Sequence, residues 1–467
     1  MKKSRVLIIG AGEAGELIVR ELVNHPRSVL LPVAFVDDNP EKVGCFIENV
    51  PVIGTIEDIP EKIIEFDINE VLIAIPSATG RQIRRIISFC HAGNIRFRIV
   101  PGILDIIEGD AKYSQIRDVN EDDLLGRETI ALKESFEYIK DKVVMITGAG
   151  GSIGSEICRQ VLRYDAKKII LIGHGENSIY LISQELKRDK LYSSKIYPVI
   201  ADITDKKKIN VIFKKYAPDI VFHSAAHKHV PLMEDYPEEA VKNNILGTKI
   251  IADASVKHKT DKFILISSDK AVEPHNVMGL TKRIAEIFIL ELNRKKKTTF
   301  SAVRFGNVIG SRGSVVPLFK MQIKQGGPVT VTNRETMRFF MSVKEAAQLV
   351  IQAGSLSIGG EIFVLDMGEE ISIEELAKNL IILTGLVVDE DIFISYSGMR
   401  PGEKIREKLI SENERIEETD EEKILKVVSK KDDFIGVLKS IDTIIKYALK
   451  NNVNALSEML EKIKELV

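Results

Sequence analysis

The chain has 467 residues and a formal net charge of −2 at pH 7. This length permits roughly two to four domains, each able to bury a core. The near-neutral charge gives no support for a nucleic-acid-binding surface or a polybasic membrane patch. No apolar run reaches the roughly 18 residues that a membrane helix needs. We therefore expect a cytoplasmic protein, or the soluble part of a membrane-anchored one.

The cysteines are Cys45, Cys90 and Cys158. They lie far apart, and none has a CxxC or HxxxC spacing. This pattern favours buried thiols in a reducing compartment over a disulfide framework or a zinc site. We expect no metal.

Two segments open with a short apolar strand, a glycine-rich turn and an amphipathic helix. The strands are Val6 to Ile9 and Lys142 to Ile146. Strands and helices then alternate in both segments, which favours parallel sheets with helices on both faces. We predict an α/β protein with two Rossmann-like, doubly wound domains at 1–135 and 136–467, the second including a smaller substrate lobe at about 307–418. Further strands are predicted at Val71 to Pro76, Tyr197 to Ile200, Ile220 to His223, Phe263 to Ser267 and Ser301 to Phe305.

The first glycine turn has the GxGxxG spacing, with Gly10, Gly12 and Gly15. Such a turn lets the backbone approach a pyrophosphate at a helix N-terminus. Asp37 or Asp38 ends the second strand, where an acid would bind ribose. The alternative is a nucleotide-type fold that no longer binds a nucleotide.

The second turn follows the TGxxGxxG pattern, which is typical of short-chain dehydrogenases. Asp202 follows the third strand and suits contact with adenine, while Glu176 or His174 stands where a ribose-binding aspartate is usual. No arginine is in place for a 2′-phosphate, so NAD is favoured over NADP. The predicted cofactor-binding residues are Thr147, Gly148, Gly151, Ser152, Ile153, Gly154, Glu176, Asp202, Ile203, Ala225, Ala226 and Lys282.

A third pattern has the layout of a short-chain dehydrogenase active site. Ser268, Asp269 and Lys270 are consecutive, Met278 stands where the catalytic tyrosine belongs, and Lys282 follows. A methionine can neither take nor give a proton. Other groups must therefore carry the protons of the reaction, unless Asp269 and Lys270 are only a surface ion pair.

At this point the chain resembles the extended short-chain dehydrogenases, specifically the UDP-N-acetylglucosamine 4,6-dehydratases of bacterial polysaccharide biosynthesis. The first domain resembles the nucleotide-fold domain that precedes the catalytic domain in longer members. A branch of these dehydratases also has methionine at the tyrosine position. The segments that carry the resemblance are TGAGGSIGSE (147–156), AAHKHVPLME (225–234), NNILGT (243–248), SSDKAVEPHNVMGLTKR (267–283), VRFGNVIGSRGSVVPLF (303–319) and GMRPGEKIREKL (398–409).

The resemblance implies a role for each residue of the reaction centre. Asp269 would protonate the departing C6 hydroxyl of the sugar. Lys270 would be the base at C5, which requires its pKa to be lowered. Ser268 would hydrogen-bond the C4 oxygen, Lys282 would hold the nicotinamide ribose, and Met278 would pack beside the sugar. The base at the C4 hydroxyl stays open, with Asp269 preferred.

The resemblance also implies a site for the substrate, a UDP-sugar. Asn307, Arg338 and Arg400 are expected at the diphosphate, and Glu403 at the uridine ribose. Lys228 and His229 are expected to face the sugar or the nicotinamide. The implied partners are this substrate and further copies of the chain in a homo-oligomer, with no nucleic acid.

Two other functions compete with the dehydratase. A UDP-sugar 4-epimerase also oxidises C4, but it relies on the tyrosine that is missing here. A non-catalytic nucleotide-binding regulator would have no need for the retained Asp269 and Lys270.

Overall fold

The structure is a computed structural model that describes residues 3–25, 28–90, 95–100, 116–125, 136–189, 191–295, 297–429 and 434–467. The chain forms two compact units. Unit 1 comprises Met1–Ala131, Gly313–Glu335 and Ile371–Gly398, and unit 2 comprises Leu132–Arg312, Thr336–Glu370 and Met399–Val467. The boundary expected near residue 135 lies outside the described residues. The domain bounds therefore stay a prediction.

The described strands follow in chain order. They are β1 Ser4–Ile9, β2 Leu30–Val36, β3 Phe46–Ile47, β4 Val50–Pro51, β5 Glu70–Ile73, β6 Arg96–Ile99, β7 Arg117–Asp118, β8 Val143–Thr147, β9 Lys168–Gly173, β10 Ile196–Ile200, β11 Ile220–His223, β12 Lys262–Ile266, β13 Thr299–Arg304, β14 Asn307–Val308, β15 Val329–Val331, β16 Met337–Met341, β17 Glu361–Leu365, β18 Glu370–Ser372, β19 Ile394–Tyr396, β20 Glu414–Glu418 and β21 Ile424–Ser429.

The α-helices lie between them. They are α1 Glu13–Asn24, α2 Ile59–Glu65, α3 Gly80–Phe89, α4 Ser152–Arg163, α5 Glu176–Lys187, α6 Lys206–Tyr216, α7 Val230–Asp235, α8 Pro237–Ala240, α9 Thr248–Lys257, α10 Val277–Asn293, α11 Val315–Lys324, α12 Val343–Leu356, α13 Ile373–Leu383, α14 Ile435–Leu449 and α15 Val453–Lys464. A π-helix at Val241–Gly247 leads directly into α9. No helix in the described ranges is long and apolar enough to cross a membrane.

Unit 1 contains a five-stranded sheet in the order β2-β1-β5-β6-β7. The first four strands are parallel, and β7 is antiparallel to β6. Val6, Ile8, Ile18 and Phe35 are among the side chains of its core. The later segments of this unit contribute the parallel pair β15 and β19.

Within the described residues, unit 2 has a nine-stranded sheet in the order β10-β9-β8-β11-β12-β13-β17-β21-β20. The strands from β10 to β17 are parallel, and β21 and β20 complete the sheet as antiparallel strands. The predicted α/β class with parallel, doubly wound sheets is confirmed. One difference concerns β17, which lies in the range expected for the lobe and yet pairs with β13 in the main sheet.

The helical hairpin of α14 and α15 packs against the π-helix and α10. Ile441, Ile444 and Leu460 of the hairpin share a core with Ile245 and Ile284. The C-terminal helices therefore hold α10, which carries Met278 and Lys282, from outside the sheet.

A buried ion-pair cluster joins β13, α10 and β20. The Arg304 guanidinium, at 0% exposure, donates to Glu286 at 2.8 and 2.9 Å and to Glu414 at 2.8 Å. Arg283 and Ser267 also donate to Glu286, at 3.0 and 2.6 Å. Burial alone would raise the pKa of Glu286, but the two arginines and Ser267 outweigh it and lower the pKa to about 2. The positive charges of Arg283 and Arg304 thus balance the negative charges of Glu286 and Glu414 inside unit 2.

We expect Arg304→Met to lower the free energy of unfolding by about 3–5 kcal/mol, because it leaves the buried carboxylates of Glu286 and Glu414 short of a partner. Urea denaturation followed by circular dichroism measures this. Arg415→Met is the control, since the Arg415 side chain is 66% exposed and should change stability by less than about 0.5 kcal/mol. Equal losses in both variants would contradict the role given to Arg304.

Candidate active site

The second glycine turn connects β8 to α4. Gly148 has φ +65°, and a Cβ there would lie 2.8 Å from the backbone nitrogen of Ala225. A Cβ on Gly154 would overlap the carbonyl oxygen of Gly148. The first turn of α4 contains no acidic residue. Tight backbone packing and an unopposed helix N-terminus are the features that a diphosphate requires.

The other predicted cofactor residues lie on the segments that follow β9, β10 and β11. Glu176 and Asp202 are exposed, Ile203 is buried, and Ala225 and Ala226 are half-buried. Burial would raise the pKa of Asp202, but hydrogen bonds from the amide and hydroxyl of Thr204 outweigh it and lower the pKa. Its carboxylate is therefore ionised at neutral pH.

The side chain of His223 supports this turn, a role that the sequence did not predict. Its ring lies 2.8 Å from the Thr147 hydroxyl and 2.9 Å from the Thr248 hydroxyl. Thr248 donates its own proton to the carbonyl of Asn244, so we assign the ring proton to Nε2. Burial lowers the pKa of His223 to about 3. A neutral histidine thus fixes Thr147; its only sequence signal was a polar residue ending an apolar strand.

The reaction centre begins directly after β12, where Asp269–Ala271 form a short 3-10 helix. Ser268 Oγ donates to Asp269 Oδ1 at 2.8 Å, and Lys270 Nζ donates to the same oxygen at 3.0 Å. Lys270 Nζ also lies 3.3 Å from Asn307 Oδ1. The Asp269 side chain is 1% exposed and that of Lys270 is 19% exposed. The structure thus brings four of the predicted site residues together, and Asp269–Lys270 is a buried ion pair.

Glu407 is a further group at this centre that sequence analysis missed. Its Oε1 lies 3.6 Å from Lys270 Nζ, and its side chain is 4% exposed. Within the described part of the chain, Asp269 Oδ2 and Glu407 Oε2 are buried without a hydrogen-bond partner. Glu407 belongs to the charged segment GMRPGEKIREKL, in which the sequence pattern does not separate a buried acid from exposed ones.

The charge state of Lys270 differs from the expectation. Burial lowers the pKa of Lys270, but the charges of Asp269 and Glu407 and the hydrogen bond to Asp269 outweigh it, so the pKa is raised. In the free site the pKa thus shifts opposite to the lowering that a base at C5 requires, and the role of Lys270 as that base stays a prediction. The free site favours the ammonium form.

Helix α10 lies directly against this centre. A Cβ on Gly279 would overlap the carbonyl oxygen of Lys270, so the helix approaches the catalytic segment at backbone contact. Met278 is 2% exposed and packs with Met233 and Ala240. These apolar neighbours fit the predicted role of Met278 as a packing residue.

Lys282 lies one turn further along α10 and is 5% exposed. Its Nζ donates to the carbonyl of Ile266 at 2.6 Å. Burial lowers the pKa of Lys282 to about 8, although the charge of Glu286 opposes the shift.

This shift predicts a pH dependence of stability. Below about pH 8 both the folded and unfolded chains keep the Lys282 proton, and burying the charge is unfavourable. Between that pH and the ordinary pKa of about 10.4 only the unfolded chain keeps it, so stability rises with pH. Relative to Lys282→Met, wild-type stability should rise by about 1–3 kcal/mol between about pH 8 and pH 10. Urea denaturation measures the free energy of unfolding at each pH, and Lys446→Met, at an exposed lysine, is the control. A difference between wild type and Lys282→Met that stays constant with pH would refute the lowered pKa.

Arg338, one of the residues predicted to bind the diphosphate, makes its contacts with a neighbouring loop. Arg338 is 6% exposed, and its guanidinium donates to the carbonyls of Lys404 and Ile405 at 2.7 and 2.8 Å. It also lies 3.5 Å from Glu403 Oε1. Arg338 therefore holds the 403–405 loop, while Arg400 is exposed and its amide donates to Glu403.

Lys228 and His229 lie on the segment between β11 and α7. Lys228 Nζ donates to Ser311 Oγ at 3.3 Å. Burial and the nearby charge of Lys270 lower the pKa of Lys228. This places Lys228 within electrostatic reach of the reaction centre.

The first glycine turn, in unit 1, differs from the second in the charged groups around it. Asp37 Oδ2 accepts from the Ala11 amide at 2.7 Å and from Lys42 Nζ at 2.9 Å. The first turn of α1 carries Glu13 and Glu16, which disfavour an anion there. The Ala11 amide of this turn is thus already bound to a carboxylate, and the helix N-terminus that follows it carries two acidic residues. Across the described ranges there is no cluster of side chains suited to a metal.

Comparison with protein families identifies the chain. A family profile described as polysaccharide biosynthesis protein matches residues 144–429. The chain belongs to this polysaccharide biosynthesis protein family. A second profile, described as a CoA-binding domain, matches residues 2–101. The resemblance to the polysaccharide biosynthesis family that the sequence indicated is confirmed.

Curated relatives carry related descriptions. The chain is 49% identical over 420 residues to the capsular polysaccharide biosynthesis protein CapD of Staphylococcus aureus, covering 89% of this chain and 70% of that protein. It is 50% identical over 413 residues to the probable polysaccharide biosynthesis protein EpsC of Bacillus subtilis, covering 88% and 69%. A UDP-glucose 4-epimerase of Rickettsia rickettsii is 37% identical over 286 residues, covering 59% and 79%.

Solved structures share the fold of the family's catalytic part. Pen from Bacillus thuringiensis aligns with a TM-score of 0.58 and 36% identity, over 62% of this chain and 90% of that one. The dTDP-glucose 4,6-dehydratase DesIV of Streptomyces venezuelae, solved with NAD bound, aligns with a TM-score of 0.51 and 18% identity, over 57% and 88%. The predicted extended short-chain dehydrogenase fold is confirmed.

Proposed function

We propose that the chain is an NAD-dependent UDP-N-acetylglucosamine 4,6-dehydratase, a hydro-lyase of capsule or exopolysaccharide biosynthesis. The observation that carries the proposal is the buried Asp269–Lys270 pair, 3.0 Å apart, on a helix-packed site where Met278 replaces the usual proton-transferring tyrosine. Elimination of water needs an acid and a base side by side. The family and the names of CapD and EpsC support a role in polysaccharide synthesis. The cytoplasmic location and the homo-oligomer stay predictions.

The residues of unit 2 fit NAD. The glycine turn at Gly148 and Gly154 leaves no room for side chains, which allows a pyrophosphate to approach the α4 N-terminus. Thr147, Ser152 and Ile153 line the same turn, Asp202 and Glu176 are exposed for the adenosine, and Lys282 reaches from α10. When bound, NAD would take hydride from C4 of the sugar and return it at C6.

The Asp269–Lys270 pair supplies the proton chemistry of the elimination. Asp269 becomes a neutral acid when it takes the C4 hydroxyl proton through Ser268, and Lys270 becomes a neutral amine when its ammonium loses a proton to solvent. The amine then takes the C5 proton while Asp269 protonates the departing C6 hydroxyl, so one water leaves. Lys270 finally returns a proton to C5, which balances the reaction.

The proton of the C4 hydroxyl needs an acceptor other than Met278, because Met278 has no titratable group. Ser268 Oγ donates to Asp269 Oδ1 at 2.8 Å. A proton passing from the C4 oxygen through Ser268 would reach that carboxylate. We therefore keep Asp269, relayed by Ser268, as the C4 base.

For the substrate we propose Asn307, Arg400, Lys228 and His229 as direct contacts of the UDP-sugar. Arg338 would act on the uridine by holding the loop that carries Glu403, since its guanidinium is committed to that loop's carbonyls.

The second candidate is a UDP-sugar 4-epimerase. The name of the Rickettsia relative favours it, and so does the shared fold. An epimerase oxidises and reduces C4 alone, so it needs an acceptor for the C4 hydroxyl proton but no base at C5 and no acid at the C6 hydroxyl. The third candidate, a nucleotide-binding regulator, needs none of these groups.

Incubation of the pure protein with UDP-N-acetylglucosamine in heavy water separates these functions. We expect a product that has lost one water, carries one solvent deuteron at C5 and forms without net NADH. Mass spectrometry after return to ordinary water measures both changes. Unchanged mass with inversion at C4 would favour the epimerase, and nucleotide binding without turnover would favour the regulator.

We expect Lys270→Ala to abolish the elimination, because no other described side chain is paired with Asp269 in this way at the centre. The rate of product formation falls by at least about 100-fold if Lys270 is the general base. Lys408→Ala is the matched control, since Lys408 is a half-exposed lysine of the neighbouring loop and should leave the rate unchanged. Dehydration by Lys270→Ala at the wild-type rate would show that the base is assigned wrongly.

A further inference from the structure

We propose that Glu407 is a positioning residue of the reaction centre, one that holds the Lys270 amine beside Asp269 and keeps a proton on it in the free enzyme. The catalytic meaning of this proposal rests on the proposed function, since that is what makes Lys270 a base. The contact itself does not depend on it.

The geometry around Lys270 Nζ carries the proposal. Three oxygens surround the amine, from Asp269 at 3.0 Å, Asn307 at 3.3 Å and Glu407 at 3.6 Å. The carboxylates of Asp269 and Glu407 are both nearly inaccessible to solvent. The amine of Lys270 thus faces two buried carboxylates at close range.

Hydrogen bonds between side chains and backbone carbonyls fasten the segment that carries Glu407. Lys404 Nζ donates to the carbonyls of Val272 and Glu273 at 3.0 and 2.8 Å. Asn276 Nδ2 donates to the carbonyl of Gly402 at 3.0 Å. The segment that carries Glu407 is therefore fastened to the chain on the C-terminal side of Lys270, which keeps Glu407 near the amine.

The charged groups near this contact act in opposite directions. Asp269 and Glu407 favour the ammonium form of Lys270, while burial and the charges of Arg338 and Lys228 disfavour it. Lys404 lies within electrostatic reach of Glu407, and so does His275. Removing the Glu407 charge takes one of the two anions away and destabilises the ammonium.

Competitive labelling of Lys270 with acetic anhydride tests this, with the labelled peptide quantified by mass spectrometry from pH 6 upward (about pH 6 to 12, spanning the range of lysine titration). In Glu407→Gln the midpoint for Lys270 should fall by about 1 to 3 pH units relative to wild type, because an opposite charge at this range favours the charged form by that amount. The rising limb of solvent-deuterium uptake at C5 should move to lower pH by the same shift.

Two further variants separate this role from a structural one. Glu407→Asp keeps the charge and should keep most of the wild-type midpoint. Glu412→Gln changes a carboxylate of the same segment whose side chain is 87% exposed, and it should leave the midpoint unchanged. A purely structural role would lower the rate at every pH without moving the limb.

A wild-type midpoint in folded Glu407→Gln would overturn the proposal. If neither Glu407 variant folds, the wild-type midpoint decides, and a value below the ordinary one of about 10.4 would equally overturn it. The labelling needs no turnover, so a shifted midpoint without any dehydrated product would leave this inference standing and defeat the proposed function instead.

Discussion

The contact of Arg304 with two buried glutamates is the constraint on which the reaction centre depends. Glu286 comes from the helix that bears Met278 and Lys282, Arg304 ends the strand that leads to Asn307, and Glu414 follows the segment that bears Glu407. A buried charge that loses its partner is strongly destabilising. The cluster therefore resists independent shifts of the three elements, and so it fixes where the side chains proposed for catalysis lie.

Met278 stands where a tyrosine would usually transfer protons. Because a methionine has no titratable group, any proton transfer must use other side chains. The thioether packs in an apolar pocket of Met233 and Ala240, and the ionisable groups gather instead around Lys270. Ser268 and Lys270 both donate to Asp269 Oδ1, so a hydroxyl, a carboxylate and an amine meet at one oxygen. The proposed elimination places its acid and its base in this cluster.

Much of the fold could be predicted because its signals are local. The strands β8 and β10 to β13 are apolar runs bounded by glycine or polar residues, and Ser268, Asp269 and Lys270 are adjacent in the chain. β17 was missed as a sheet strand because the pattern after Gly306 shows no clear period. Glu407 and His223 were missed because their roles come from partners far away in sequence. The raised pKa of Lys270 results from burial, which lowers it, and from two nearby carboxylates, which raise it. The spacing of residues in the sequence does not reveal this balance.

The long-range contacts also constrain the order in which parts of the site can form during synthesis of the chain. A chain emerging from the ribosome presents its N-terminal parts first, so the glycine turn, Lys270 and Arg304 are made before the segment that completes them. Arg304 meets Glu286 at a separation of 18 residues but Glu414 at 110, and Asn276 meets Gly402 at 126. Contacts of such separation form late in folding. The pairing of Arg304 with Glu414 and of Asn276 with Gly402 thus becomes possible only after residues 402–414 have been synthesised.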